Sequence, residues 1–211
     1  MRLMKVQGKG YVSAEPDMVT LSFGVESKAR DYEESVRNLN ARAEDLRASM
    51  SASGLDRARL KTTSFSVRVD TLYKNGQHLF AGYVASHQMQ IEIPMDKTLL
   101  NKVLSHVAQG HSGAEIRLEF SVKDRDALRK NALTQAVKAA KDNAETLASA
   151  AGVTLGKLVQ MDYGWSEVRI YDRQASMLCE GPDAMMASGA DIEPEDVAAE
   201  DSVTLVFQIT E

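Results

Sequence analysis

Cysteine is nearly absent. Cys179 is the single one in 211 residues, so no intrachain disulfide can staple the fold. A chain of this length needs none, because it buries about 70% of the surface its unfolded form exposes. Long apolar runs are also lacking. No stretch approaches the roughly 20 apolar residues of a membrane-spanning helix, so no membrane insertion is expected. The opening Met1-Arg2-Leu3-Met4-Lys5-Val6-Gln7-Gly8 has neither an apolar core of about 7–15 residues nor a small-residue cleavage site. The expected compartment is therefore the cytoplasm; if a leader has been removed, it is the periplasm or cell envelope. Excess positive charge is missing too. Against 30 Asp+Glu stand 25 Lys+Arg, a net charge of −5. General nucleic-acid binding draws its affinity from cation–phosphate contacts, so no nucleic-acid partner is expected.

Catalytic signatures are equally scarce. There is no Gly-x-Ser-x-Gly elbow and no Cys-x-x-Cys pair. Gly8-Lys9-Gly10 lacks the spacing of a phosphate loop and opens no helix. Two glycines in a strand-like segment mark a bulge or a close approach of backbone. The four histidines are His78, His87, His106 and His111. His106 and His111 are five apart across a glycine, off the helical spacing that zinc pairs use. His87 falls on the apolar face of a strand, which favours a core histidine with a satisfied hydrogen bond over a base or metal ligand. Cys179 lies near Met177, Met185 and Met186, as a redox sensor would. Its neighbours Glu180 and Asp183 would raise a thiol pKa, so an incidental thiol is the better reading. Asp191, Glu193, Glu195 and Asp196 lack the glycine-punctuated order of a calcium loop. No catalytic, cofactor-binding or metal residue is assigned, and no cofactor is expected.

What is present is periodicity. Leu3–Gly10 is strand-like. Val19, Leu21, Phe23 and Val25 alternate with polar residues after the turn at Glu15-Pro16-Asp17. Asp31 caps a helix whose stripe is Tyr32, Val36, Leu39, Ala43, Leu46 and Met50, closed by a left-handed Gly54. Phe65, Val67 and Val69 share one face of the next strand, and Tyr83, Ala85, His87, Met89, Ile91 and Ile93 one face of its partner. Asn75-Gly76 between them marks a hairpin. Pro94 and Asp96 end the second of these strands and start a short helix, with Leu99, Leu100, Val103, Leu104 and Val107 inward; then comes a strand through Ile116, Leu118, Phe120 and Val122. A third, alanine-rich helix from about Asp124 to Ala151, stopped by Gly152, carries the stripe Leu133, Val137, Ala140, Ala144, Leu147 and Ala151. Its small side chains allow close approach to a sheet or another helix. A strand from Leu158 is expected to continue toward Tyr171. Residues 173–201 hold eight acidic residues and one basic, and are expected to form a mobile acidic surface loop. Val203, Leu205, Phe207 and Ile209 make a last strand. The order ββα-ββα-βα-ββ predicts an α+β fold: mostly antiparallel sheet, with two long helices and one shorter helix packed on one face. The domain expectation is one domain over 1–211, or two intertwined α+β halves.

Several short motifs resemble the SIMPL-domain family of unknown function, which includes bacterial periplasmic immunogenic proteins and proteins linked to oxidative-stress tolerance. They are Val6-x-Gly8-x-Gly10, Glu15-Pro16-Asp17-Met18-Val19, Gly24-Val25, Ser53-Gly54-Leu55, Lys61-Thr62 and Gly82-Tyr83-Val84-Ala85-Ser86. Phe120-Ser121-Val122-x-Asp124, Ala132-Leu133-x2-Ala136-x2-Ala139-Ala140 and Leu147-Ala148-x3-Gly152-x3-Gly156 follow in the same order. The resemblance spans about residues 4–165 and the final strand. This sequence departs from it in lacking an export signal and in reducing a Tyr-x-Tyr stretch before the hairpin to Tyr73. The resemblance implies an α+β, non-enzymatic protein, with ring- or channel-like oligomers in some members and a signalling adaptor as namesake. The expectation is a non-catalytic, self-assembling structural or binding protein, with stress as its setting, homo-oligomeric through an edge formed by the terminal strand. The alternatives are an adaptor that holds a partner protein through the acidic loop or a sheet edge, and, more remotely, a hydrolase or redox enzyme using His87 or Cys179.

Overall fold

The computed structural model describes residues 2–74, 76–164, 170–171 and 192–211. Cys179, its neighbouring methionines and most of the acidic stretch lie outside them. The fold is α+β. Its elements are β1 (Arg2–Ala14), β2 (Met18–Ala29), α1 (Tyr32–Ala52), β3 (Lys61–Lys74), β4 (Gln77–Pro94), α2 (Lys97–Gln109), β5 (Glu115–Ser121), α3 (Arg125–Ala151), β6 (Thr154–Asp162), β7 (Ile170–Tyr171) and β8 (Val197–Thr210). The expected order is found, with the two-residue β7 and a short 3-10 turn at Arg57–Arg59 added.

There are two four-stranded sheets. One runs β1-β8-β6, with β7 also on β8; the other runs β3-β4-β2-β5. Asp17–Phe120 forms one compact unit. The other joins the chain up to Pro16, the segment opening at Ser121 and the terminal Glu195–Glu211. Within Asp17–Phe120 the element order is βαββαβ, and its strands lie 2-3-1-4. That is the split-βαβ, or ferredoxin-like, arrangement.

Each helix starts on an aspartate. Asp31 accepts from the backbone N–H of Glu33 at 2.9 Å and of Glu34 at 3.2 Å, Asp96 from Thr98 and Leu99, and Asp124 from Ala127. These carboxylates satisfy donors that the first turn leaves orphaned. Gly54 (φ 89°) and Gly152 (φ 67°) end α1 and α3 in the left-handed region, as the sequence predicts.

The core of the βαββαβ unit lies between its sheet and the two helices. Val19, Leu21, Phe23 and Val25 of β2 and Met89, Ile91 and Ile93 of β4 meet Leu39, Leu46 and Met50 of α1 and Leu100, Val103 and Leu104 of α2. In the other unit the buried face of α3 is Leu128, Ala132, Ala136, Ala140, Ala144 and Ala148, at a strict spacing of four. This corrects the stripe predicted from sequence. Leu147 is half exposed and Ala151 is exposed. The reason is steric. β1 presents Gly8 and Gly10 to the helix, and a Cβ at either would overlap backbone: the Ala136 carbonyl for Gly8, the Ala132 carbonyl for Gly10. Opposite the two glycines only alanines fit that approach, and Leu147 turns outward.

Four further expectations change. β1 extends from Arg2 to Ala14, beyond the expected Gly10. β8 begins at Val197, so the last residues assigned to the acidic loop are strand, with Val197, Ala199 and Asp201 buried. Charge counting hid this, because Asp201 occupies an inward position opposite Gly10. The terminal strand is not an edge: β8 pairs with β1 on one side and with β6 and β7 on the other. Finally, the strand expected from Leu158 begins at Thr154. Phe65 and Val69, on their shared face of β3, are about half exposed because β3 ends its sheet beyond the helices' cover.

The helix–strand approach is testable. Gly8→Ala and Gly10→Ala should each cost about 1–3 kcal/mol, the range for overpacking. Gly164→Ala, with nothing within 4 Å of the new Cβ, should be near neutral. Urea midpoints check this, and an unchanged midpoint for Gly10→Ala would refute the approach.

Candidate functional site

His87 is 7% exposed. It stands in the inward row of β4, opposite Val25 of β2 and Phe65 of β3. Its Nε2 lies 2.8 Å from Thr62 Oγ1. A bulge makes that contact: Thr62 pairs with Met89 and Ser64 with Gln88, leaving Thr63 as the extra residue. Without it, Thr62 would face the opposite side of the sheet. The Phe65 ring meets the imidazole edge-on, with centroids 5.5 Å apart. Nδ1 is buried without a hydrogen-bond partner. Burial pushes the His87 pKa down, and the positive charge of Arg47 adds to the shift. The expected core placement is found, with one ring nitrogen satisfied and the other bare. With Thr62 and Phe65 against it, the imidazole is largely closed off from solvent.

The other histidines are dispersed. His78 is in the β3–β4 hairpin, its ring 5.0 Å from that of Tyr73. His106 is in the last turn of α2, and His111 follows that helix. Among the described residues no three of His, Cys, Asp and Glu come together to hold a metal. No helix among them is long and apolar enough to cross a membrane. A second polar pair lies in the other unit. Tyr163 donates its hydroxyl to Asp201 at 3.0 Å, and the backbone N–H of Ser202 donates to the same carboxylate. The hydrogen bond to Asp201 raises the Tyr163 pKa, helped by burial and by the negative charge, and Arg129 opposes it. The pair satisfies the one acid in the inward row of β8.

Sequence reasoning missed an exposed apolar feature among the described residues. The pairing of β2 with β4 ends at Ala29 opposite Tyr83, while β3 and β4 continue together to Lys74 and Gln77. Beyond Tyr83 the hairpin is therefore a two-stranded arm. Leu72 is 64% exposed, Tyr73 70%, Leu79 47% and Phe80 55%. At its root, Tyr83 stacks edge-on with Tyr32 at 5.6 Å and with Phe80 at 5.4 Å. Gly82 (φ 137°) sits where β4 parts from β2, and a Cβ there would overlap the Ala29 carbonyl. The signal was available. Leu72-Tyr73 and Leu79-Phe80 are adjacent apolar pairs, and a strand must show one member of each pair to either face.

A protein-family model described as SIMPL, a protein of unknown function (DUF541), matches residues 4–207. The chain belongs to the SIMPL family. It is similar to Uncharacterized protein YggE of Edwardsiella ictaluri (strain 93-146), 26% identical over 206 residues, which cover 96% of this chain and 85% of that protein. Several SIMPL-like residues have structural roles here. Gly8 and Gly10 admit α3, Ala132, Ala136 and Ala140 form the face that meets them, and Gly82 opens the arm.

The His87 environment predicts a pH dependence. The unfolded chain binds the His87 proton near pH 6.5, and the folded chain only at lower pH. Its contribution is thus fully present above pH 6.5 and is lost as pH falls through the folded-state value. Wild type should lose more urea resistance between about pH 7.5 and about pH 5.5 than His87→Leu does. Equal losses would assign the effect to other groups.

Proposed function

We propose that this SIMPL protein acts by association: it is a non-catalytic, self-assembling binding protein whose contact element is the β3–β4 arm. The observation that carries this reading is the arm's exposed apolar surface. A lone two-stranded ribbon is marginal in water, and contiguous apolar patches beyond a few hundred Å² mark interaction sites on soluble proteins. The arm and its root hold six large apolar side chains, Tyr32, Val69, Leu72, Tyr73, Leu79 and Phe80, between 47% and 70% exposed. At roughly 100 Å² apiece they offer about 600 Å². Covering them between two copies would bury about 1,200 Å², the lower end of the standard size of a specific interface. The closed setting of His87 supports the same reading, because the ring is engaged by Thr62 and Phe65.

Light scattering on a sizing column, across a micromolar concentration series, should give a discrete mass above the 23.1 kDa of one chain. Leu72→Ser combined with Phe80→Ser should weaken assembly by at least about tenfold, as loss of interface anchors does. Leu72 is exposed and Phe80 gives up its edge-on contact with Tyr83, so folding stability should fall by no more than about 1–2 kcal/mol. A monomer at every concentration would end this reading.

A further inference from the structure

We propose that the partner on β3 is a second copy of this chain, joined edge to edge in an antiparallel register centred on Val69. This rests on the self-assembly reading and specifies its contact. β3 is 14 residues long and ends its sheet, with β4 on its other side. Among the described residues no strand pairs with its outer edge, whose backbone donors and acceptors are a template for another strand. Pairing a strand with itself about a two-fold axis is isologous, and the strand's own residues decide which register is favourable.

Charge selects the register. Arg68 is exposed and makes no ion pair among the described residues. Asp70 meets Lys28 only at 4.0 Å. With Val69 on the axis, Arg68 of each copy stands opposite Asp70 of the other, twice over. The neighbouring registers that keep each side chain on the same face are centred on Arg68 or on Asp70. They place Arg68 against Arg68, or Asp70 against Asp70, and like charges directly opposite are destabilising. The apolar face agrees. In the Val69 register Phe65 stands opposite Tyr73, Val67 opposite Thr71, and Val69 opposite itself. Aromatic and β-branched pairs of this kind are the ones that stabilise antiparallel neighbours. The half-exposed Phe65 and Val69 and the 70% exposed Tyr73 all lie in this row. Two four-stranded sheets would become one of eight strands.

A charge swap tests the register. Arg68→Asp and Asp70→Arg should each weaken assembly about tenfold, because each sets two like-charge pairs face to face. The double swap, Arg68→Asp with Asp70→Arg, should restore wild-type assembly. Both positions are exposed or half-buried and the double variant carries both changes, so its recovery separates lost pairing from lost folding. A covalent readout is independent. In a Cys179→Ser background, Val69→Cys should oxidise to a disulfide-linked dimer. Val67→Cys should not, since in this register its two copies stand about 13 Å apart along the strands, beyond the ~7 Å limit for a disulfide. If the wild type assembles, yet the single swaps assemble equally well or Val67→Cys cross-links as readily as Val69→Cys, the register is wrong and the self-assembly reading survives. If the wild type is a monomer throughout, both fall.

Discussion

Everything in the unit built on β1 and β8 depends on how closely α3 lies against β1. Gly8 and Gly10 present bare backbone, and α3 answers with alanine at every fourth position from Ala132 to Ala148. A Cβ at either glycine would meet the main chain of α3. The contact has little side-chain volume, so its stabilisation rests on dense van der Waals contact and on apolar area removed from water. Larger residues supply the rest along the same seam: Val6, Val203, Leu205 and Phe207 from the strands and Leu128 near the start of the helix. The inward position opposite Gly10 is Asp201, and its carboxylate is held by the Tyr163 hydroxyl and the Ser202 N–H. A buried acid is tolerable only when it is hydrogen-bonded in this way.

The βαββαβ unit is built on a different balance. Its helices bury mainly Leu, Val and Met, with Ala43 their one buried alanine, and they cover β2 and the inner half of β4. β3 lies outside that cover. The consequence is visible at His87 and at the arm. At His87 the bulge at Thr63 turns Thr62 inward to meet the imidazole, at the border between covered and uncovered sheet. Past Tyr83, β4 loses β2 as a neighbour, and the hairpin continues with apolar side chains on both faces. A face that the described residues leave exposed, next to a strand that ends its sheet, is the surface on which the proposed association rests.

Local chemistry made much of this legible in advance. Asp31, Asp96 and Asp124 could be read as helix starts because a carboxylate satisfies orphan N–H groups wherever it precedes a helix. Gly54 and Gly152 could be read as stops because left-handed backbone favours glycine. Alternation marked β2, β4 and the end of β8, since each has one buried face. The inward set on α3 was misread, because alanine and leucine both count as apolar and only the glycines opposite decide which of them faces in. Val197–Asp201 was misread because its acids masked a strand that another strand pairs and buries.

The sequence by itself determined the order of elements, their caps, the α+β class and the family. These follow from periodicity and from short-range hydrogen bonding, which act over a few neighbouring residues. Only the tertiary structure decided that β8 is central rather than an edge, that β3 is an edge, and that the exposed apolar surface lies on the β3–β4 arm. Strand order and helix cover are set by contacts between residues far apart in the chain. Two strands with the same alternation therefore differ in exposure solely by what packs beside them.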